Sequence, residues 1–192
     1  MANWATTSYV IEGTEQSLNK IYETIMMFHE GRHQVMNETA SKDWEGNIIL
    51  FLGGKIESGE YMRGFFDDMS EQPTEGMLSF SCEEAWGATD FRHALQRIFD
   101  DITIYYQVEE FGNDVFATND SEGKYFRDQY YVEIDIEGVW DCEYFSSKED
   151  ADKFISKHTQ GKIKSVDDEF AIADFNMEGK NNIYVATNDY CE

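Results

Sequence analysis

The stretch MLSFSCEEAWGATDFRHALQRIFDDITIYYQV, residues 77–108, reads as strand, helix and strand in succession. Met77 to Glu84 alternates apolar and polar residues with the period of a strand. From Asp90 the pattern changes: Phe91, Ala94, Leu95, Ile98 and Phe99 fall on one face of a helix, the strongest helical signal in the chain. Ile102 to Val108 returns to the strand period. Working outward, Tyr61 to Asp68 reads as a strand joined to Met77–Glu84 by a loop containing Pro73 and Gly76. Ala5 to Glu12 is a further strand, ending at Gly13. Thr14 then caps a helix with Leu18, Ile21, Tyr22, Ile25 and Met26 on one face. His29 to Ser41 reads as loop or short helix, and Asn47 to Leu52 fits either a strand or a short helix. The order β-α-β-β-α-β gives an α+β fold, a ferredoxin-like two-layer sandwich with helices on one face of an antiparallel sheet.

Downstream, Val115 to Thr118 is expected as a hairpin partner of Ile102–Val108 through Gly112-Asn113. Tyr130 to Ile136 and Val139 to Tyr144 form a second hairpin about Glu137-Gly138. Ser146 and Glu149 have capping-box spacing before a helix with Ala151, Phe154 and Ile155 inward, and Phe170–Phe175 and Ile183–Ala186 read as closing strands around Gly179. The expected division is a ferredoxin-like domain over residues 1–120 and a C-terminal β/α extension over 121–192, packed on the first. Ala117-Thr118-Asn119-Asp120 recurs as Ala186-Thr187-Asn188-Asp189. A duplicated unit would explain the echo, as would two strand ends with Asn-Asp turn chemistry.

The chain has 39 acidic and 15 basic residues, a formal net charge of −24 and a pI near 4.3. Aromatics at 15% and a single proline exclude a mainly unfolded chain. So acidic a protein lacks the Lys and Arg that direct nucleic-acid binding requires. The opening Met1-Ala2-Asn3-Trp4 has no signal-peptide pattern, and no stretch has the apolar length to span a bilayer. Cys82, Cys142 and Cys191 are odd in number and without CxxC spacing, which argues against a zinc site or disulfide framework. The expectation is a cytoplasmic protein without membrane attachment.

Three patches carry a resemblance. Ala2-Asn3-Trp4-Ala5-Thr6-Thr7 is similar to an Ala-Asn-Trp-x-x-Asn opening, and Leu78 to Gly87 to a strand followed by Thr-Ala-Trp. Tyr105-Tyr106 with Glu109-Glu110-Phe111-Gly112 is similar to a Tyr-Tyr-Glu-Pro-Gly bend. Together they resemble the YubB-like family with a ferredoxin-like domain, over roughly residues 2–120. In this sequence Gly87-Ala88 and Phe111 stand where that family has prolines. The resemblance implies a mobile-element setting and brings no established activity.

Among candidate chemistries, His29-Glu30-Gly31-Arg32-His33 matches H-E-x-x-H, the string that on a helix sets two metal-binding imidazoles on one face. Gly31 weakens the required helix, and no third ligand follows at the usual spacing. Glu133-x-Asp135-x-Glu137-Gly138 mimics the front of a calcium loop, but Tyr144 stands at position twelve and Val132, Ile134 and Ile136 alternate as a strand does. Asp67-Asp68 and Asp167-Asp168-Glu169 read as acidic surface patches. No nucleophile elbow or phosphate loop occurs, and no cofactor is expected.

The charge is the most informative feature, because crowding like charge on a folded chain costs stability and favours fast, salt-sensitive capture of a basic partner. The expected function is an interaction module that binds a basic protein surface as a nucleic-acid mimic or inhibitor of a host defence enzyme. Its candidate binding residues are Glu83, Glu84, Trp86, Tyr106, Glu109 and Glu110. The alternatives are a metal-dependent hydrolase using His29, Glu30 and His33, or an accessory protein acidic only for solubility.

Overall fold

A computed structural model describes residues 3–69 and 72–191. The chain is α+β, with predominantly antiparallel sheets and five α-helices among the described residues. It divides into two compact units, Met1–Val115 and Phe116–Glu192.

In the first unit, β1 (Trp4–Glu12), β2 (Gly64–Met69), β3 (Met77–Ala85) and β4 (Thr103–Glu110) stand in the order β2-β3-β1-β4. Every neighbouring pair is antiparallel. Strand alternation sends Tyr9 and Ile11, Leu78, Phe80 and Cys82, and Ile104, Tyr106 and Val108 to the buried face. Helix α1 (Glu15–His29) opens where Thr14 Oγ1 accepts the Ser17 amide, and it buries Leu18, Ile21, Ile25 and Phe28. Tyr22 and Met26, expected inward, are only half-buried; Thr24 and Phe28 occupy the inner stripe with them.

Residues 45–51 resolve as a helix, α2 (Glu45–Phe51), rather than a strand. Its tightest anchor is the buried Asn47, whose amide donates to the carbonyls of Ser41 and Lys42 and whose carbonyl accepts the Met36 amide. The helix after Asp90 is short: α3 spans Phe91–Gln96, and Ile98 and Phe99 lie in the turn beyond it. Phe91 nonetheless packs edge-on against Tyr9, Phe66 and Phe80 at centroid distances of 6.1, 5.6 and 6.2 Å, centring the aromatic core.

The second unit holds β5 (Val115–Thr118) from Phe116 onward, β6 (Tyr130–Ile136), β7 (Val139–Phe145), β8 (Asn181–Thr187) and β9 (Asp189–Tyr190), with helices α4 (Lys148–His158) and α5 (Glu169–Met177). β7, β6 and β8 form an antiparallel sheet in that order. Glu137 and Gly138 both take positive φ, 54° and 85°, which is the two-residue turn that matches strand twist. The acids Glu133 and Asp135 thus alternate along β6 and do not wrap an ion. Val132, Ile134, Ala151, Ile155, Ile163, Phe175 and Ile183 make the core of this unit.

Two expectations need correction here. The helix cap is Ser147, whose hydroxyl accepts the Asp150 amide, one residue beyond the Ser146/Glu149 pair. Residues 170–175 are helical, within α5, not a strand. A short apolar run fits both periods, and the Asp168 carboxylate decides between them by accepting the Ala171 amide at 3.0 Å. The two Ala-Thr-Asn-Asp segments are both strand ends, and they meet: Ala117 pairs with Asp189, and Thr118 with Tyr190, in parallel.

Candidate functional site

The six candidate binding residues separate by strand parity. Glu83 and Glu109 lie on the face of the first unit's sheet opposite the buried one, in a row that crosses all four strands: Phe65, Glu83, Thr6 and Glu109. Glu83 Oε1 accepts the Thr6 hydroxyl at 2.9 Å, and Glu109 Oε1 accepts the Gln107 amide at 2.7 Å. Two strand spacings set the two carboxylates' strands about 10 Å apart. Trp4 stacks obliquely on Phe65 at 5.5 Å, with the Arg63 guanidinium over its indole. Trp86 projects outward at 59% exposure just past β3, at φ 70°, with its amide held by the Asn3 carbonyl. Glu110 is half-buried and accepts from the Asn113 side chain.

Glu84 and Tyr106 are corrections: both are interior. Glu84 is fully buried and Tyr106 is 2% exposed, because each shares the parity of the core residues on its strand, Leu78, Phe80 and Cys82 in one case and Ile104 and Val108 in the other. Neither can touch a partner.

Glu84 instead belongs to a buried acid cluster. Glu45, from the first turn of α2, is also fully buried and lies beside it. The Thr89 hydroxyl oxygen sits 2.8 Å from Glu45 Oε2 and 2.7 Å from Glu84 Oε1. Tyr9 Oη and the Thr89 amide also donate to Glu84 Oε1, at 2.9 and 3.1 Å. A hydroxyl has one proton to give, and Glu84 Oε1 is where the donors converge. The close contact with Glu45 is therefore satisfied when Glu45 brings a proton of its own. The energetics agree in direction: burial, then the neighbouring Glu84, pushes the Glu45 carboxyl well above the usual carboxylate range. Glu45 Oε1 and Glu84 Oε2 have no hydrogen-bond partner.

The same cluster silences Cys82. Burial first, then Glu45 and Glu84, raises its thiol well above the ordinary value. In native protein at about pH 8, a thiol reagent is expected to modify the exposed Cys191 and to reach Cys82 only on unfolding. Peptide mapping after brief labelling checks this, and rapid native labelling of Cys82 would contradict it. Cys142, on β7, is half-buried.

The H-E-x-x-H string does not form a metal site. α1 ends at His29, Glu30 is its C-cap, and Gly31 turns the chain at φ 69°, so no helix carries the two rings to one face. His29 Nδ1 lies 2.8 Å from Asp43 Oδ1, while His33 packs against Phe28 and Phe51 at 5.4 and 5.0 Å. Glu30 pairs with Arg32. Among the described residues no group of three or more His, Cys, Asp or Glu is set to hold a metal ion, and no helix is long and apolar enough to cross a membrane.

Glu45 is the residue that sequence reasoning missed. A lone acid ahead of the apolar run 48–52 gives no sign of burial. For Glu84 the signal existed: it continues the Leu78-Phe80-Cys82 alternation. No protein-family model matches the chain, and comparison with curated proteins and with solved structures gives no match.

Proposed function

We propose that this chain is a non-enzymatic, acidic interaction module that binds a basic protein surface in the manner of a nucleic-acid backbone. The observation that carries it is the row Phe65–Glu83–Thr6–Glu109, which spaces carboxylates across the sheet face opposite the buried one and sets an aromatic pair, Trp4 and Phe65, beside them. Rigid strands hold these groups in register, which spares a binding surface the ordering cost that flexible acids would incur. The units share the acidity: the first has 21 acidic and 7 basic residues, the second 18 and 8.

The ferredoxin-like assignment of the first unit is part of the same proposal. Its support is the strand order β2-β3-β1-β4 with antiparallel neighbours throughout, the order expected of a β-α-β-β-α-β unit. The resemblance to the YubB-like family would set the protein on a mobile element, where a host nucleic-acid enzyme is the natural basic target.

The test is competition against labelled duplex DNA for purified defence nucleases with basic grooves. Displacement is expected to weaken at least about tenfold between about 50 and 300 mM salt, since exposed charge pairs are screened over that range. Glu83→Lys combined with Glu109→Lys is expected to lose about tenfold in affinity with an unchanged circular dichroism spectrum. An affinity indifferent to both salt and charge reversal would leave solubility as the role of the acidity.

A further inference from the structure

We propose that the second unit carries a peptide-binding groove, between α5 and the outer edge of β8, that accepts an extended Lys/Arg-bearing segment of a partner protein as an added strand. This rests on the proposed preference for basic partners but assigns it a second, separate surface.

The edge is open by hydrogen-bond parity. Asn176 of α5 blunts one position of β8: its side-chain carbonyl accepts the Ile183 amide at 2.8 Å, and its amide donates to the Ile183 carbonyl at 2.9 Å. Both backbone groups of Ile183 thus point away from β6. In an antiparallel pair that orientation recurs every second residue, so the N–H and C=O of Val185 point the same way. Consistently, the next even position, Asn188, donates its amide to Gln129 on the β6 side. β8 has only β6 beside it in the three-stranded sheet.

Space lies next to that edge. A groove of about 500 Å³ runs between α5 and β8, with Ile172, Ala173, Tyr184 and Val185 along it and Asp167 and Glu169 at its rim. A strand edge beside a helix is a recurrent way of holding extended peptides: main-chain bonds supply affinity and alternate side chains enter the groove. The outer face of α5 continues the surface, with Phe170 87% and Met177 78% exposed.

The rim fixes the chemistry of the occupant. Glu169 and Asp174 are exposed on α5, and Asp167 and Asp168 precede it. Asp167 also lies 3.4 Å from Lys148, so of the two acids that line the groove Glu169 supplies most of the attraction for incoming cations. An extended segment alternating apolar with Lys or Arg residues presents the first set to Ile172 and Val185 and the second to the rim.

A random peptide library displayed on phage and selected on the full-length chain is expected to enrich such alternating basic sequences. The most enriched peptide, made synthetically and titrated into isotope-labelled protein, is expected to shift the Val185 and Thr187 amides and to slow their hydrogen exchange. Methylating the peptide's backbone nitrogens that face β8 keeps its charge and removes its donors, and is expected to cost at least about tenfold in affinity. Ala173→Trp, an exposed substitution that fills the groove, is expected to do the same. Undiminished binding by the methylated peptide, shifts confined to other surfaces, or no enrichment of basic sequences would each overturn the groove. Repeating the titration with the Glu83→Lys, Glu109→Lys protein separates the two sites: peptide affinity is expected to be unchanged, and its loss would assign binding to the first unit and overturn the groove while sparing the broader proposal.

Discussion

Glu45→Gln is expected to remove a pH dependence of stability that the buried Glu45 carboxyl confers on the native chain. The Glu45 carboxyl is held above its ordinary value of 4.5 in the folded state by burial and by Glu84, so between those two values the folded chain retains a proton that the unfolded chain releases. The sign follows. The stabilisation is fully present below the unfolded value and is lost as pH rises through the folded one, at a rate of up to about 1.4 kcal/mol per pH unit. Most folded proteins gain stability from their carboxylates over the acid range; Glu45 works in the opposite direction. Glutamine cannot ionise, and its amide can donate where the protonated acid does. The variant should therefore gain on the native protein as pH rises above the ordinary carboxylate value of 4.5, whatever the general repulsion among the other acids contributes to both. Urea midpoints of the two proteins across that range decide it; parallel curves would mean that Glu45 is ionised in the fold.

Gly64→Ala is expected to be strongly destabilising although it adds a single methyl. A Cβ built on Gly64 would stand 2.3 Å from Glu45 Cδ and Oε1 and 2.4 Å from Oε2. The backbone there asks nothing special of glycine; the requirement is space for a buried carboxyl. Moving that carboxyl breaks its contact with Thr89 and leaves both buried acids poorly satisfied. Overpacking together with an unsatisfied buried polar group amounts to a loss of about 3 kcal/mol or more. The mechanism predicts its own rescue: in the Gly64→Ala, Glu45→Ala double variant the methyl fits where the carboxyl was. Denaturant melts should show the double variant more stable than Gly64→Ala alone, a strongly non-additive result. If the two losses simply add, the clash with Glu45 is not the cause.

Residues 77–108 show how far patterning reaches. Period-two alternation over β3 and β4 places the core residues without further information, and the Phe91-Ala94-Leu95 spacing places α3 on them. Where a segment was short and mostly apolar, as at 48–52 and 170–175, patterning did not decide its conformation, and the outcome turned on single polar groups: Asn47 gathering a loop, Asp168 capping a helix. The candidate acids divided for a related reason. Adjacency in sequence puts Glu83 and Glu84 on opposite faces of one strand, so a patch read as contiguous became one surface group and one core group.

What the sequence determined alone was whatever local periodicity and composition encode: the α+β class, most of the strands, the cap at Thr14, the Glu137-Gly138 turn, and a net charge of −24. What only the tertiary structure decided was every property that depends on two distant segments meeting. Glu45 and Glu84 lie 39 positions apart, and nothing near either announces that they meet in the core. Likewise His29 and His33 match a metal motif letter by letter, yet Gly31 ends the helix that the motif needs. A string constrains neighbours along the chain; chemistry at a site depends on neighbours in space, and burial, which sets the energy of a charge, exists only once the chain has folded.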